Sequence, residues 1–230
     1  MNASPVKVLS SMATRELLAA LAKDCERDLS QPVITEAAGG VDVAKRVAAG
    51  EAVDVVVLAS NVIDKLIADG KLIAGSRVDL VKSGIGVAVR KGAARVDIHS
   101  EEAVRNAVLA ARSLSYSTGP SGIYLQQMFE RWGILQAIQS RIVVPQPGTP
   151  VGTLVAKGEC ELGFQQMSEL LNLEGIEVLG LLPDEIQSLT VFSGGISQTS
   201  TSTAAARNVL EYMSAPASSE TKRRFGMEAA

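Results

Sequence analysis

The chain has 230 residues, 47% of them apolar, with 22 Lys and Arg against 25 Asp and Glu for a net charge of -3. That length builds one large domain or two small ones, and the balanced charge excludes a nucleic-acid partner. Aromatic residues, at 3%, are too few for sugar-stacking platforms, and the single histidine, His99, lacks the partners of a metal site or catalytic triad.

In chain order, Val6-Lys7-Val8-Leu9 is expected as a buried strand. Residues 14–27 form a helix, because Leu17, Leu18, Leu21 and Ala22 recur at helical spacing. A strand at Val33-Ile34-Thr35 leads to a helix over 41–49 that stops at Gly50. A strand over 54–58 leads to a helix over 62–69 capped by Ser60 or Asn61. Unbroken Val and Leu runs imply strands covered on both faces.

A second unit follows from about Val78, with a strand over 85–89, a helix over 101–111, a strand over 113–116 and a helix over 121–132. Next are expected a strand over 141–144 after which Pro145 to Pro150 form a loop, a helix over 151–157, a strand over 162–164 and a helical turn over 167–171. A strand over 188–192 leads back to the first unit, which helices over 203–213 and 217–225 complete. The fold class is therefore α/β, two lobes joined by two crossings, each lobe a sheet wound on both faces by helices. Residues 1–82 with 193–230 make one lobe and 83–192 the other.

The densest basic cluster, Lys222-Arg223-Arg224, is expected as a solvated helix face. Cys25 and Cys160 are expected as buried free thiols. No cofactor and no metal site are expected. The longest apolar run, 53–59, carries Asp54 and is too short to cross a membrane. Met1-Asn2-Ala3-Ser4-Pro5 has neither a basic nor an apolar leader segment, so the chain as written is expected in the cytoplasm, or in the periplasm as a processed form.

Four strand-to-helix corners carry small, hydroxyl or amide residues. They are Ser10-Ser11-Met12-Ala13-Thr14 with Arg15 behind, Gly39-Gly40, Ser117-Thr118-Gly119-Pro120-Ser121-Gly122, and Gln165-Gln166. A helix start leaves amides unpaired and carries partial positive charge, so each corner can hold an anion without a fixed cation. One helix end supplies only about 0.3–1 kcal/mol, whereas a micromolar ligand needs about 8 kcal/mol. Several corners are therefore required, and a cleft between the lobes is the expected place for them.

The run Lys7-Val8-Leu9-Ser10-Ser11 and the segment Ala44-Lys45-Arg46-Val47-Ala48-Ala49-Gly50-Glu51-Ala52-Val53-Asp54-Val55-Val56-Val57 resemble the first lobe of bacterial molybdate-binding proteins. So do Pro120-Ser121-Gly122-Ile123-Tyr124, Gly158-Glu159-Cys160-Glu161-Leu162-Gly163-Phe164 and Lys222-Arg223-Arg224-Phe225-Gly226-Met227, in the family's order. The resemblance implies the class II periplasmic-binding fold and an oxyanion held by hydroxyls at two corners and a tyrosine after a late strand. Here Gly39-Gly40-Val41 replaces the second hydroxyl corner and Gln165 or Gln166 the tyrosine. Amides and bare backbone N–H groups suit carboxylates, so a di- or tricarboxylate is expected.

The resemblance implies a solute-binding protein working with an ABC importer permease. An alternative within the same family group is an aconitate isomerase, moving an allylic proton, with Glu36, Ser10, Ser11, Tyr116 and Tyr124 as candidate shuttles. A third reading is a cytoplasmic ligand-sensor domain.

Overall fold

The computed structural model describes residues 3–146 and 148–230. Met1, Asn2 and Pro147, the last within the expected Pro145 to Pro150 loop, lie outside the described residues. The chain divides into two compact units, Met1–Lys82 with Val191–Ala230, and Ser83–Thr190.

The first unit opens with β1 (Val6–Ser11), α1 (Arg15–Leu29), β2 (Val33–Ala38), α2 (Gly40–Ala48), β3 (Val55–Ala59), α3 (Ser60–Ala68) and β4 (Val78–Ser83). The second contains β5 (Ile85–Arg90), α4 (Glu101–Ala110), β6 (Leu114–Tyr116), α5 (Pro120–Arg131) and α6 (Leu135–Ile138). It continues through α7 (Val151–Lys157), β7 (Leu162–Gln166), α8 (Met167–Leu170) and β8 (Ile176–Leu181). The chain then returns through β9 (Thr190–Ile196), α9 (Thr203–Ser214), α10 (Ser219–Arg224) and β10 (Glu228–Ala229).

The first sheet has the order β10-β4-β9-β3-β1-β2. Strand β1 runs parallel to both β2 and β3, with Ser11 opposite Ala38, while β9 is antiparallel to β3. Burial on both faces explains why β3 is apolar throughout. Val6, Val8, Val55 and Val57 pack on one face with Leu17, Leu18 and Leu21 of α1 and Val209, Leu210 and Met213 of α9. Leu9, Val56 and Leu58 point the other way, against Val43 and Val47 of α2 and Ile63 and Leu66 of α3. Each fully buried Val or Leu contributes about 1.5–3 kcal/mol relative to exposure.

The second sheet, β6-β7-β5-β8, has unequal faces. Ile85, Val87, Val89, Leu162 and Phe164 pack with Val104, Val108, Leu125, Met128 and Phe129 of α4 and α5. The opposite face is lined by Gly86, Ala88 and Gly163, with Gly86 paired to Gln165 and Ala88 to Gly163. A Cβ on Gly163 would lie 2.5 Å from Val155 and 3.0 Å from Val151, so α7 rests directly on this strip of small residues. Both edges are irregular: Gly180 of β8 has φ 146° beside a register shift at Val87/Ala88, and β6 is only three residues long.

Four expectations are corrected. Residues 141–144 do not form a strand: Ile142 makes a single bridge to Leu114, Arg141 donates to the Leu109 and Ala111 carbonyls ending α4, and Val144 is 67% exposed. Strands β4 and β8 arise where none was expected, and α3 begins at Ser60 with Ala59 as its cap residue. Lys222 is not on a solvated face. It is fully buried, its Nζ donates to the Ser214 carbonyl at 3.4 Å and to no other group among the described residues, and desolvation holds its pKa below the usual lysine value. Cys25 and Cys160 are free and buried, and burial pushes both thiols up to about 12. No helix among the described residues is long and apolar enough to cross a membrane.

Candidate functional site

Candidate site residues of the first unit gather at the carboxyl ends of β1 and β2. Parallel pairing places Ser10 opposite Ala37 and Ser11 opposite Ala38, directly before Gly39-Gly40. Ser10 is spent inside the sheet, its Oγ donating to the Glu36 carbonyl at 3.4 Å. Ser11 is different. It is 8% exposed, and its Oγ is buried with no hydrogen-bond partner among the described residues, while its backbone carbonyl accepts from Thr14 Oγ1 at 3.2 Å. A buried hydroxyl left unpaired costs about 1–3 kcal/mol. Met12 and Ala13, half-buried, form the 3-10 turn with Thr14 that leads into α1.

The start of α2 lies beside Ser11. A Cβ on Gly40 would be 3.9 Å from Ser11 Cβ and 3.8 Å from Leu58 Cδ2. The first helical bond runs from Val43 N–H to the Gly39 carbonyl at 2.9 Å, so the amides of Gly40, Val41 and Asp42 precede the helical ladder. Gly40, Val41 and Asp42 are exposed. One hydroxyl and three amides thus meet at one corner of a nine-residue helix.

Cations expected nearby are engaged elsewhere. Arg15 pairs with its neighbour Glu16 at 2.7 Å in an exposed setting. Arg46 joins Glu36 at 2.6 Å and Glu51 through two contacts of 2.5 and 2.6 Å. Glu36 is therefore an exposed ion-pair partner on β2.

In the second unit the hydroxyls satisfy each other. Ser117 Oγ and Ser121 Oγ are 2.8 Å apart, and Ser117 Oγ also accepts from Gly119 N–H at 3.3 Å. This turn folds tightly over the first turn of α5: a Cβ on Gly122 would lie 1.5 Å from the Ser117 carbonyl oxygen, so only glycine fits. Pro120 occupies the first helical turn, where its missing N–H costs nothing. The first bond is Ile123 N–H to the Gly119 carbonyl at 3.1 Å, leaving the Ser121 and Gly122 amides ahead of the ladder. Thr118 is exposed. Tyr116 is half-buried edge-on to Phe129, and burial, then Glu130, raises its phenol pKa.

The two glutamines divide. Gln165 Oε1 accepts from Val151 N–H at 2.8 Å and its Nε2 donates to Glu169 at 2.7 Å, so its amide fastens α7 and α8 to β7. Gln166 donates to Thr190 Oγ1 at 2.8 Å, while its Oε1 is buried without a partner among the described residues. Inspection of the sequence passed over Asp42, whose signal was a carboxylate three residues after Gly39. It also could not distinguish Ser11 from Ser10, because that difference depends on the β1–β2 register.

Two α/β units joined by two crossings of the chain make the two-lobed fold of the periplasmic binding proteins. The chain belongs to the bacterial extracellular solute-binding protein family, whose model matches residues 6–228. An aconitate isomerase from a Pseudomonas species is 40% identical over 169 residues, which span 73% of this chain but 64% of that relative. The chain therefore covers less than two thirds of the relative's length. Among solved structures, the periplasmic molybdate-binding protein of Azotobacter vinelandii superposes with a TM-score of 0.80 at 19% identity, over 96% of this chain and 98% of that one. The sulfate-binding protein SubI of Mycobacterium tuberculosis gives 0.76 at 15% identity, over 97% and 86%. These likenesses establish a fold of the molybdate- and sulfate-binding type.

Proposed function

We propose that this chain binds a small organic di- or tricarboxylate, with one carboxylate seated where Ser11 meets the first turn of α2. The observation that carries the reading is the Ser11 hydroxyl, buried and without a partner beside three amides that the helix does not use. A carboxylate oxygen would supply the missing acceptor, and a hydrogen bond to a charged group contributes about 1.5–3 kcal/mol. The helix end adds about 0.3–1 kcal/mol. Because micromolar affinity needs about 8 kcal/mol, a second carboxylate must find further donors. Bare backbone N–H groups suit a carboxylate, and Ser10, the neighbouring hydroxyl, is engaged inside the sheet.

A thermal-shift screen of molybdate, tungstate, sulfate, phosphate, dicarboxylates and tricarboxylates tests this, because a ligand of the folded form raises its melting temperature. Stabilisation by carboxylates is expected. Stabilisation by molybdate or sulfate alone would end the proposal.

The 40% identity to an aconitate isomerase favours a second reading in which the same corner holds aconitate while an allylic proton is moved. Deuterium entering cis- or trans-aconitate from D2O, followed by NMR, is the expected sign; exchange at the blank rate would remove it. Delivery to an ABC permease is the role that membership of a solute-binding family supports if no turnover is found.

A further inference from the structure

Beside the donors at the start of α2 stand two side chains unsuited to a compact, doubly charged ion. Asp42 sits in the first turn, with Oδ2 only 3.2 Å from the position a Gly39 Cβ would occupy. Its negative charge is thus held against the helix start and already draws on the positive potential there. Val41, 62% exposed, supplies one of the three amides. An oxygen accepting that N–H lies within about 4 Å of the Val41 Cβ by covalent geometry alone, so whatever carries the oxygen meets an aliphatic surface.

We infer that the first turn of α2 is a selectivity filter, admitting a carboxylate attached to a carbon skeleton and rejecting compact inorganic dianions, with Asp42 setting the charge limit. The inference rests on the carboxylate reading above and deepens it. In sulfate or molybdate both charges reside on one small group, so seating one oxygen at the amides brings the whole dianion up to Asp42. A tricarboxylate brings one charge to this corner and keeps the others along its skeleton, where distance and salt weaken repulsion. The buried Ser11 hydroxyl, unpartnered among the described residues and with its Cβ 3.9 Å from where a Gly40 Cβ would stand, is a second observation at this helix start.

The test is titration of the full chain with trans-aconitate, sulfate and molybdate, comparing the native protein with Asp42→Asn, Asp42→Glu and Val41→Ser. Asp42→Asn should tighten sulfate and molybdate about tenfold and change trans-aconitate less than about threefold. Asp42→Glu keeps the charge and should keep the native ratio. Val41→Ser should weaken trans-aconitate about threefold without helping sulfate. A purely helix-stabilising Asp42 would shift melting temperature but leave the ratio of affinities alone. If the native protein prefers trans-aconitate and Asp42→Asn leaves the ratio unchanged, the filter is wrong and the carboxylate reading stands. If the native protein takes sulfate or molybdate as tightly as trans-aconitate, or takes no carboxylate, both fall.

Discussion

The corner at the start of α2 and the corner at the start of α5 carry the same kind of sequence, serines and glycines where a strand gives way to a helix, yet they are in opposite chemical states. At α5 the Ser117 and Ser121 hydroxyls bond to each other, and the turn lies so close that Gly122 cannot carry a side chain. At α2 the Ser11 hydroxyl is buried without a partner, and a Cβ on Gly40 would make only ordinary contacts. One corner satisfies its own hydroxyls, and the other, among the described residues, does not. A hydroxyl at a helix start is therefore informative only once its partner is known.

Substitutions at these corners can break that contrast. The largest effect is expected from Gly122→Ala, which forces a methyl into the Ser117 carbonyl and should cost about 3 kcal/mol. The chain's single tryptophan, Trp132, lies just beyond α5, so its fluorescence during urea unfolding reports this loss. Gly40→Ala should cost nothing and gain up to about 1 kcal/mol from helix propensity. Equal losses for the two substitutions would erase the contrast.

Next in size, Ser11→Ala should weaken ligand binding about tenfold while leaving unfolding free energy unchanged or slightly raised, since no protein bond is lost. Ser121→Ala should instead lower stability by about 1 kcal/mol through loss of the Ser117 bond. A stability loss for Ser11→Ala as large as that for Ser121→Ala would show that Ser11 is satisfied after all.

Two changes confined to the first unit sharpen the comparison by altering stability without touching either corner. Lys222→Met should gain about 1 kcal/mol at pH 7, because a charge buried against a single carbonyl is removed. Burial lowers the folded-state pKa of Lys222 below its unfolded value. Between those two values the unfolded chain holds the extra proton, so native stability rises with pH across that window. Chemical denaturation from pH 7 upward should show the rise in the native protein and lose it in Lys222→Met. Ser30→Gly has the smallest expected effect, about 0.5 kcal/mol gained, because Ser30 ends α1 at φ 52°. A lower unfolding midpoint for Ser30→Gly would contradict it.

Much of the fold was legible because burial on both faces writes itself into composition. Val6 to Leu9 and Val55 to Leu58 could hardly be anything but covered strands, and Pro120 marked the start of α5. Strand β8 escaped notice because its residues are mostly half-buried and Gly180 interrupts its pattern. Residues 141–144 looked like a strand because Ile142-Val143-Val144 is apolar, but the side chain of Arg141 is drawn to the end of α4. Lys222 read as solvated because adjacent arginines suggested an open helix face. At the candidate site the residue types were visible, whereas their availability was not. Ser10 and Gln165 look as competent as Ser11 in one dimension, and only tertiary pairing shows where their hydrogen bonds go.

An exposed sheet edge invites pairing with other chains. Strand β2 is a six-residue outer rim of its sheet, with Ile34 54% exposed, a template on which a stray β-segment could lengthen the ladder. Glu36 stands two residues along, clasped by Arg46, and places a fixed charge where an invading neighbour would have to lie. An ion pair on that rim makes edge-to-edge pairing with another strand costly.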